Sequence, residues 1–372
     1  MQASDWSRRS IYFQEVTYAT AWWMSRICGV CAIVLIALVA VAEFYFAGLK
    51  TTVRAIPSVV VVVLALAAWM IHSRFRNDLA LAAERAAQGS VVVATRCGPI
   101  EYQEAGQGLP LLMIHGSGGG HDQGMAFARP LTQHGIRVIA MSRFGYLRTP
   151  RPVDASPEAQ ADAHMCLLDA LGIKQAAVMG ASAGAPSAMQ TAIRHPDRVS
   201  ALVLVVPIAY KLDTVADSAP PLSNSRDAML LRLLGSDFLF WAGLRIARHQ
   251  VIRYVLATPP ELIAAASAQE RARVNAMAER ILPVSARAEG LRDDTGLGKR
   301  LVRYALHSIR LPTLVVSARD DGFGTYASAE YTASQITGAK FVGFENGGHL
   351  LVGHDGEVRA EILKLLIPQA KY

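Results

Sequence analysis

Ser182 is the central residue of Gly180-Ala181-Ser182-Ala183-Gly184, a G-x-S-x-G pattern lying between a β-forming run and a helix-like run. In a strand-turn-helix context this pattern places a serine on a sharp, strained turn. Small neighbours let the backbone close there, and the hydroxyl is lifted clear of the sheet. A serine hydroxyl is a weak nucleophile until an imidazole takes its proton, and a carboxylate must hold that imidazole in place. The chain offers both further on. Leu314-Val-Val-Ser-Ala-Arg-Asp-Asp-Gly322 presents Asp321, with Asp320 as second choice, and Glu345-Asn-Gly-Gly-His349 presents His349. The expected roles are Ser182 as nucleophile, His349 as general base and acid, and Asp321 as its orienting carboxylate. His354 reads as a helix-start or surface histidine.

Acyl transfer also needs donors for the oxyanion. Ile114-His-Gly-Ser-Gly-Gly-Gly-His121 follows a strand-like run, and its glycines free backbone amides to approach a ligand. The Ser117 amide, or failing that the Gly118 amide, pairs with the Ala183 amide as the expected oxyanion hole. The alternative, a phosphate-binding glycine loop, lacks the G-K-[ST] that would follow it, and dinucleotide spacing is absent. His121, Gln123, Arg143 and Tyr146 are candidates to line a substrate pocket, with Arg143 and Tyr146 suited to a carboxylate. No metal or organic cofactor is expected.

These residues need a scaffold. Short β-rich runs are expected at 90–95, 101–104, 110–115, 137–141, 175–179, 201–206, 312–317 and 340–344, alternating with helical patterns at 157–171, 183–194, 326–336 and 357–366. Alternation of this kind predicts an α/β domain with a mostly parallel eight-stranded sheet. Ser156, Pro157 and Glu158 mark one helix start, and Gly172 its stop. Between 206 and 312 the patterning is helical without a good strand, which reads as a helical insertion over the sheet.

The 372 residues are 52% hydrophobic and 18% charged, with a mean hydropathy of +0.26. That is too apolar for a wholly soluble chain and excludes disorder. Residues 28–49 and 56–71 are apolar runs separated by a short polar link, with Trp22, Trp23, Tyr45 and Trp69 near their ends. They predict two transmembrane helices forming a hairpin. Ala40-Val41-Ala42 also resembles a signal-cleavage site, although the leader before it is long. A weak excess of Lys/Arg on both flanks puts the link outside and the large domain in the cytoplasm, whether or not cleavage occurs.

The net charge of +7 does not point to nucleic acid. Residues 1–76 carry 7 Lys/Arg against 3 Asp/Glu and residues 209–310 carry 15 against 10, so the remainder is slightly acidic. There is no basic tract or zinc-finger spacing. Cys28 and Cys31 read as small apolar residues within the first span. Cys97 and Cys166 look isolated, consistent with a reducing compartment. The stretch 229–256 interleaves apolar residues with Arg232, Arg245, Arg248 and Arg253, a surface able to lean on an anionic leaflet and admit lipophilic esters.

With the elbow, the His-Gly loop, the late Asp and the final Gly-His in this order, residues 90–370 resemble the α/β-hydrolase superfamily. The resemblance implies a core over 77–208 and 311–372, a helical cap over 209–310 and, outside the match, a membrane hairpin over 1–76. It implies a membrane-anchored serine hydrolase acting on small or lipophilic carboxylic esters through an acyl-enzyme. Relatives with Asp at the elbow, the haloalkane dehalogenases and epoxide hydrolases, fit less well. His-Gly-Ser-Gly-Gly-Gly is similar to the loop of meta-cleavage hydrolases, with Gly where they have Pro, so carbon–carbon bond hydrolysis is the alternative. Met141-Ser-Arg-Phe-Gly-Tyr-Leu-Arg-Thr149 departs from the usual loop after the fourth strand. A non-catalytic scaffold is the reading from another class, opposed by the intact Ser, Asp and His. Oligomeric state stays open.

Overall fold

The computed structural model describes residues 52–210, 235–295, 297 and 301–367. The expected first span, Cys28, Cys31 and residues 211–234 of the expected cap lie outside them. The chain divides into two compact units, 1–78 and 79–372. Helix α1 (Thr52–Ala87) carries the second expected span and extends beyond it. The charged stretch expected to end the span after residue 71 is a continuation of the helix, because Ala, Leu, Arg and Glu dominate there and all favour it. Gly89, at φ +73°, supplies the left-handed residue that stops it. Over Val59–Ala87 it is, among the described residues, the one helix long and apolar enough to cross a membrane. Of the two expected spans, only the second falls within the described residues.

The second unit is built on eight strands: β1 (Ser90–Thr95), β2 (Gly98–Ala105), β3 (Leu109–Ile114), β4 (Ile136–Met141), β5 (Ala176–Ala181), β6 (Val199–Val205), β7 (Thr313–Ala318) and β8 (Lys340–Phe344). Their order is β1-β2-β4-β3-β5-β6-β7-β8. β2 is antiparallel to both neighbours, and the strands from β4 to β8 are parallel. All eight expected strands are present, with bounds shifted by a few residues. Helix α2 (His121–Ala128) was not expected, and α3 (Pro157–Ala170) and α4 (Ala185–Arg194) match their patterns. Ser156 Oγ accepts the Ala159 amide as the cap of α3.

The sheet has a core on each face. Leu112 and Ile114 pack with Met165, Leu167 and Met189 on one side, whereas Leu111 and Met113 pack with Met125, Ile362 and Leu366 on the other. Successive residues of one strand feed opposite cores, so a parallel strand buried on both faces reads as a continuous apolar run. Between β6 and β7 the described residues hold only helices: α5 (Asp237–Ile246), α6 (Arg248–Val255), α7 (Pro260–Ala265), α8 (Ala268–Glu279) and α9 (Ala288–Asp294). Helices α10 (Thr325–Gln335) and α11 (Asp355–Leu366) complete the core.

One reading of the cysteines is corrected. Cys97, in the turn between β1 and β2, is disulfide-bonded to Cys166 on α3, with Cα atoms 6.0 Å apart. The pair is 69 residues apart in sequence, and the hairpin packed against α3 brings the two together.

Candidate active site

In a parallel sheet the loops leaving the carboxyl ends of the strands share one edge, which is where such sheets place their sites. Here the loop after β3 carries Gly116 to Gly120, that after β5 carries Ser182, that after β7 carries Asp321, and that after β8 carries His349. Four separate segments therefore meet by topology.

At the elbow Ser182 has φ +50°, a strained value for a residue with a side chain. The glycines that flank it are required by close approach. A Cβ on Gly180 would sit 2.6 Å from Ala188 Cβ, and one on Gly184 would sit 2.6 Å from the carbonyl oxygens of Ile114 and His115. Ser182 itself is 7% exposed.

Ser182 Oγ lies 2.9 Å from His349 Nε2, and His349 Nδ1 lies 2.8 Å from Asp321 Oδ2. An ionised carboxylate only accepts, so Nδ1 carries the proton and Nε2 is left as the acceptor for the serine hydroxyl. Asp321 is buried and further held by the Phe323 amide at 2.9 Å and the Thr325 hydroxyl. Phe323 also meets the His349 ring edge-on at 4.8 Å between centroids. Asp320 instead holds backbone, its carboxylate accepting the amides of Gly348 (2.8 Å) and Gly347 (3.3 Å). The Ala257 carbonyl, at the end of α6, accepts the Gly322 amide at 2.9 Å and the His349 amide at 3.3 Å, which ties the Asp and His loops to the cap.

For the oxyanion loop, the geometry revises one candidate. The Gly118 amide donates to Tyr146 Oη at 3.3 Å and is already engaged. Ser117 and Ala183 remain, the latter at the start of a helical segment, where amides have no intrahelical acceptor.

Three of the four expected pocket residues are engaged in structure instead. His121 is fully buried, its Nε2 2.8 Å from the Ala86 carbonyl, and its amide bonds Ser142 Oγ. Arg143 is also buried, and its guanidinium grips Asp294 on α9 at 2.5 and 3.1 Å while donating to the Ala183 carbonyl at 2.8 Å. Burial disfavours the Arg143 charge, but Asp294 and Tyr146 together outweigh it and raise the pKa. Tyr146 donates to the same carboxylate at 2.5 Å, and its own burial, reinforced by Asp294, pushes the phenol pKa up. The Tyr146 hydroxyl and both terminal nitrogens of Arg143 thus have protein partners, while Arg143 Nε is a buried donor without one. Gln123 lies near the glycine loop, where a Cβ on Gly119 would meet its Oε1 at 2.3 Å. His354 stacks on Phe344, 4.0 Å between centroids, at the start of α11.

Two features escaped sequence reasoning. Arg287 on the cap is fully buried and reaches Asp122 at 2.9 Å and the Gly119 carbonyl at 2.6 Å, so the cap also anchors the loop after β3. Asp294 received no role because its partners lie about 150 residues earlier. Among the described residues no cluster of His, Cys, Asp and Glu has the makings of a metal site.

The model of the α/β-hydrolase fold matches residues 110–353. The chain is 37% identical over 143 residues to a 2-hydroxymuconate semialdehyde hydrolase of Pseudomonas putida, a match covering 36% of this chain and half of that protein. A second protein of that name, from Pseudomonas sp. (strain CF600), is 29% identical over 225 residues, or 55% of this chain and 80% of its own. Among solved structures, an α/β-hydrolase fold protein from Nakamurella multipartita superposes with a TM-score of 0.56 at 30% identity, covering 74% of this chain and 98% of its own. With this match over two thirds of its length, on a sheet of the right topology, the chain is a hydrolase belonging to the α/β-hydrolase fold family.

Proposed function

We propose that this protein is a serine hydrolase that cleaves carboxylic esters through an acyl-enzyme, with Ser182, His349 and Asp321 as its triad. The observation that carries the reading is the unbroken relay from Ser182 Oγ through His349 to Asp321, at 2.9 and 2.8 Å. His349 Nε2 takes the hydroxyl proton as Ser182 Oγ attacks the carbonyl carbon. The Ser117 and Ala183 amides bind the resulting oxyanion, two donors worth several kcal/mol together. Collapse expels the alcohol, which leaves with the proton from His349. Water, deprotonated by the same imidazole, then releases the acid and restores the serine.

A second reading, hydrolysis of a carbon–carbon bond beside a ketone, is favoured by the names of the two Pseudomonas relatives. The same relay serves it, but a carbon leaves only when its electron pair is delocalised into a conjugated system. A substrate acid of that kind also needs a cation, and Arg143 and Arg287 are each paired with a carboxylate already. Among the described residues, that pairing favours ester cleavage. Membrane attachment through α1 is supported by its exposed valines and leucines between Val59 and Leu66.

The test is fluorophosphonate labelling of the detergent-solubilised native chain beside Ser182→Ala and His349→Ala. Esters of graded chain length and a 2-hydroxy-6-oxo-dienoate follow. Labelling of the native chain alone with ester turnover supports the reading. Turnover of the dienoate alone moves it to carbon–carbon hydrolysis, and a folded native chain that never labels sinks both.

A further inference from the structure

The residues that form the oxyanion site are joined underneath by one buried network, and its keystone belongs to the cap. Asp294, the last residue of α9, receives both terminal nitrogens of Arg143 and the Tyr146 hydroxyl. Each partner then reaches a different side of the site. Tyr146 Oη accepts the Gly118 amide, and Arg143 Nη1 donates to the Ala183 carbonyl. A peptide unit is planar, so a hydrogen bond that directs its N–H or C=O also constrains the tilt of the rest. The Gly118 amide belongs to the peptide directly after the one that carries the Ser117 N–H. The Ala183 carbonyl belongs to the peptide directly after the one that carries the Ala183 N–H. Both oxyanion donors therefore sit next to a peptide held by the same carboxylate.

The packing leaves little freedom to realign. Gly145 has φ +73°, and a Cβ there would meet the Gly290 amide nitrogen at 2.7 Å, while a Cβ on Gly290 would lie 2.0 Å from the Tyr146 ring. The Gly290 amide donates to the Gly145 carbonyl at 3.0 Å and the Leu147 amide to the Ala286 carbonyl at 2.7 Å. These contacts place α9 in one register on the loop after β4. The side chain of Asp294 is 8% exposed, and that of Arg143 is 2% exposed.

The geometry points to Asp294 as a positioning residue that sets both oxyanion donors from the cap, through Tyr146 on one side and Arg143 on the other. It touches neither substrate nor Ser182. With the carboxylate gone, the Tyr146 hydroxyl is free to turn, the Arg143 fork loses its anchor, and both donor peptides lose their fixed direction. The cap then supplies part of the rate as well as covering the site. This inference rests on the serine-hydrolase reading above.

The experiment compares full-length, detergent-solubilised native protein with Asp294→Asn, Tyr146→Phe and their double variant. Asp293→Asn serves as control, since Asp293, next to Asp294 on α9, pairs with the exposed Arg151 of the loop before α3. Steady-state kinetics on a short ester, the fluorophosphonate labelling rate and Tm are measured for each. The expected result for Asp294→Asn is a kcat lower by about 10- to 100-fold, the range of one impaired oxyanion donor, with KM within about threefold. Labelling slows in parallel, since the phosphonyl oxygen uses the same donors. Tyr146→Phe lowers kcat in the same direction, and the double variant falls no further than the worse single one, because both act in one chain. Asp293→Asn retains the native kcat. If Asp294→Asn lowers Tm while the folded fraction keeps its kcat, or raises KM alone, the inference is overturned. Should Asp294→Asn fail to fold, Tyr146→Phe decides: an unchanged kcat and labelling rate overturn it. A native chain that neither labels nor turns over esters overturns the serine-hydrolase reading instead, and this inference with it.

Discussion

Asp320 and Asp321 are consecutive in sequence and serve the same histidine by different routes. Asp321 Oδ2 meets the His349 ring, whereas Asp320 accepts the Gly347 and Gly348 amides that precede it. One carboxylate orients the imidazole and the other holds the backbone that delivers it. Substitution separates them. Asp321→Asn offers the ring a group that can donate where it must accept, and the expected loss in kcat is about 10³- to 10⁴-fold. Asp320→Asn weakens two charge-assisted bonds in a loop that Ala257 still holds, and the expected loss is about tenfold. Steady-state turnover of one ester by both variants checks the ranking, and equal losses would contradict it.

The elbow predicts a defined failure. Gly184→Ala puts a methyl 2.6 Å from two backbone carbonyls, that of Ile114 at the end of β3 and that of His115 just after it, neither of which belongs to a flexible side chain. Strand and loop have to separate, so stability falls by about 2 kcal/mol or more and labelling is lost with it. Urea unfolding followed by circular dichroism gives the first number, and the fluorophosphonate signal the second.

Buried histidines make the fold acid-sensitive. His164 on α3 is held below its ordinary value of 6.5, at about 3, by burial first and by the nearby Arg143 charge second. His115 is lowered for the same two reasons. A histidine whose folded pKa is depressed stays neutral in the native state while the unfolded chain binds a proton below about 6.5. Stability from this source is complete above that pH and is lost as pH falls, by about 1.4 kcal/mol per unit for one such group, until about pH 3. His164→Leu is expected to flatten this slope between pH 6 and 4, as read from urea midpoints. An unchanged slope would exclude His164 as its source.

Arg287 tests how the cap is held. Its guanidinium has no exposed surface and is shared by Asp122 and the carbonyls of Gly119, Arg280 and Ile281. Arg287→Met leaves Asp122 buried beside three unbonded carbonyls, and a cost of about 3–5 kcal/mol is expected. Asp122→Asn together with Arg287→Met removes the stranded charge and recovers part of it. Thermal unfolding of the single and double variants gives both values.

The strands and the triad could be read in advance because each is a local signal. Runs such as Leu112-Met-Ile114 are apolar without interruption, since both faces of the sheet are covered. The elbow and the Gly-Gly-His run are short patterns whose meaning depends on the strand before them. Other parts depended on partners far away in the chain. Arg143 and Tyr146 read as free ligands for a substrate because nothing near them announces Asp294. His121 looked like a pocket residue because its acceptor, the Ala86 carbonyl, is backbone and leaves no trace in residue types. Helix α2 starts inside a glycine-rich run, without a side-chain cap to signal it.

The Ala257 carbonyl has a consequence for anyone exchanging caps between members of this fold. Because one backbone oxygen receives an amide from the Asp loop and another from the His loop, the seam between cap and core transmits geometry through main-chain atoms, and side-chain choice there counts for little. Ala257 reaches this position with φ +44°, so the recipient chain needs a residue that tolerates the left-handed region at that point. A transplanted cap whose chain passed this point one residue early or late would preserve every triad side chain and still leave the two loops unlinked. Residues 256–258 therefore have to be kept in any such exchange, although cap helices lie on both sides of them, α5 and α6 before and α7 to α9 after.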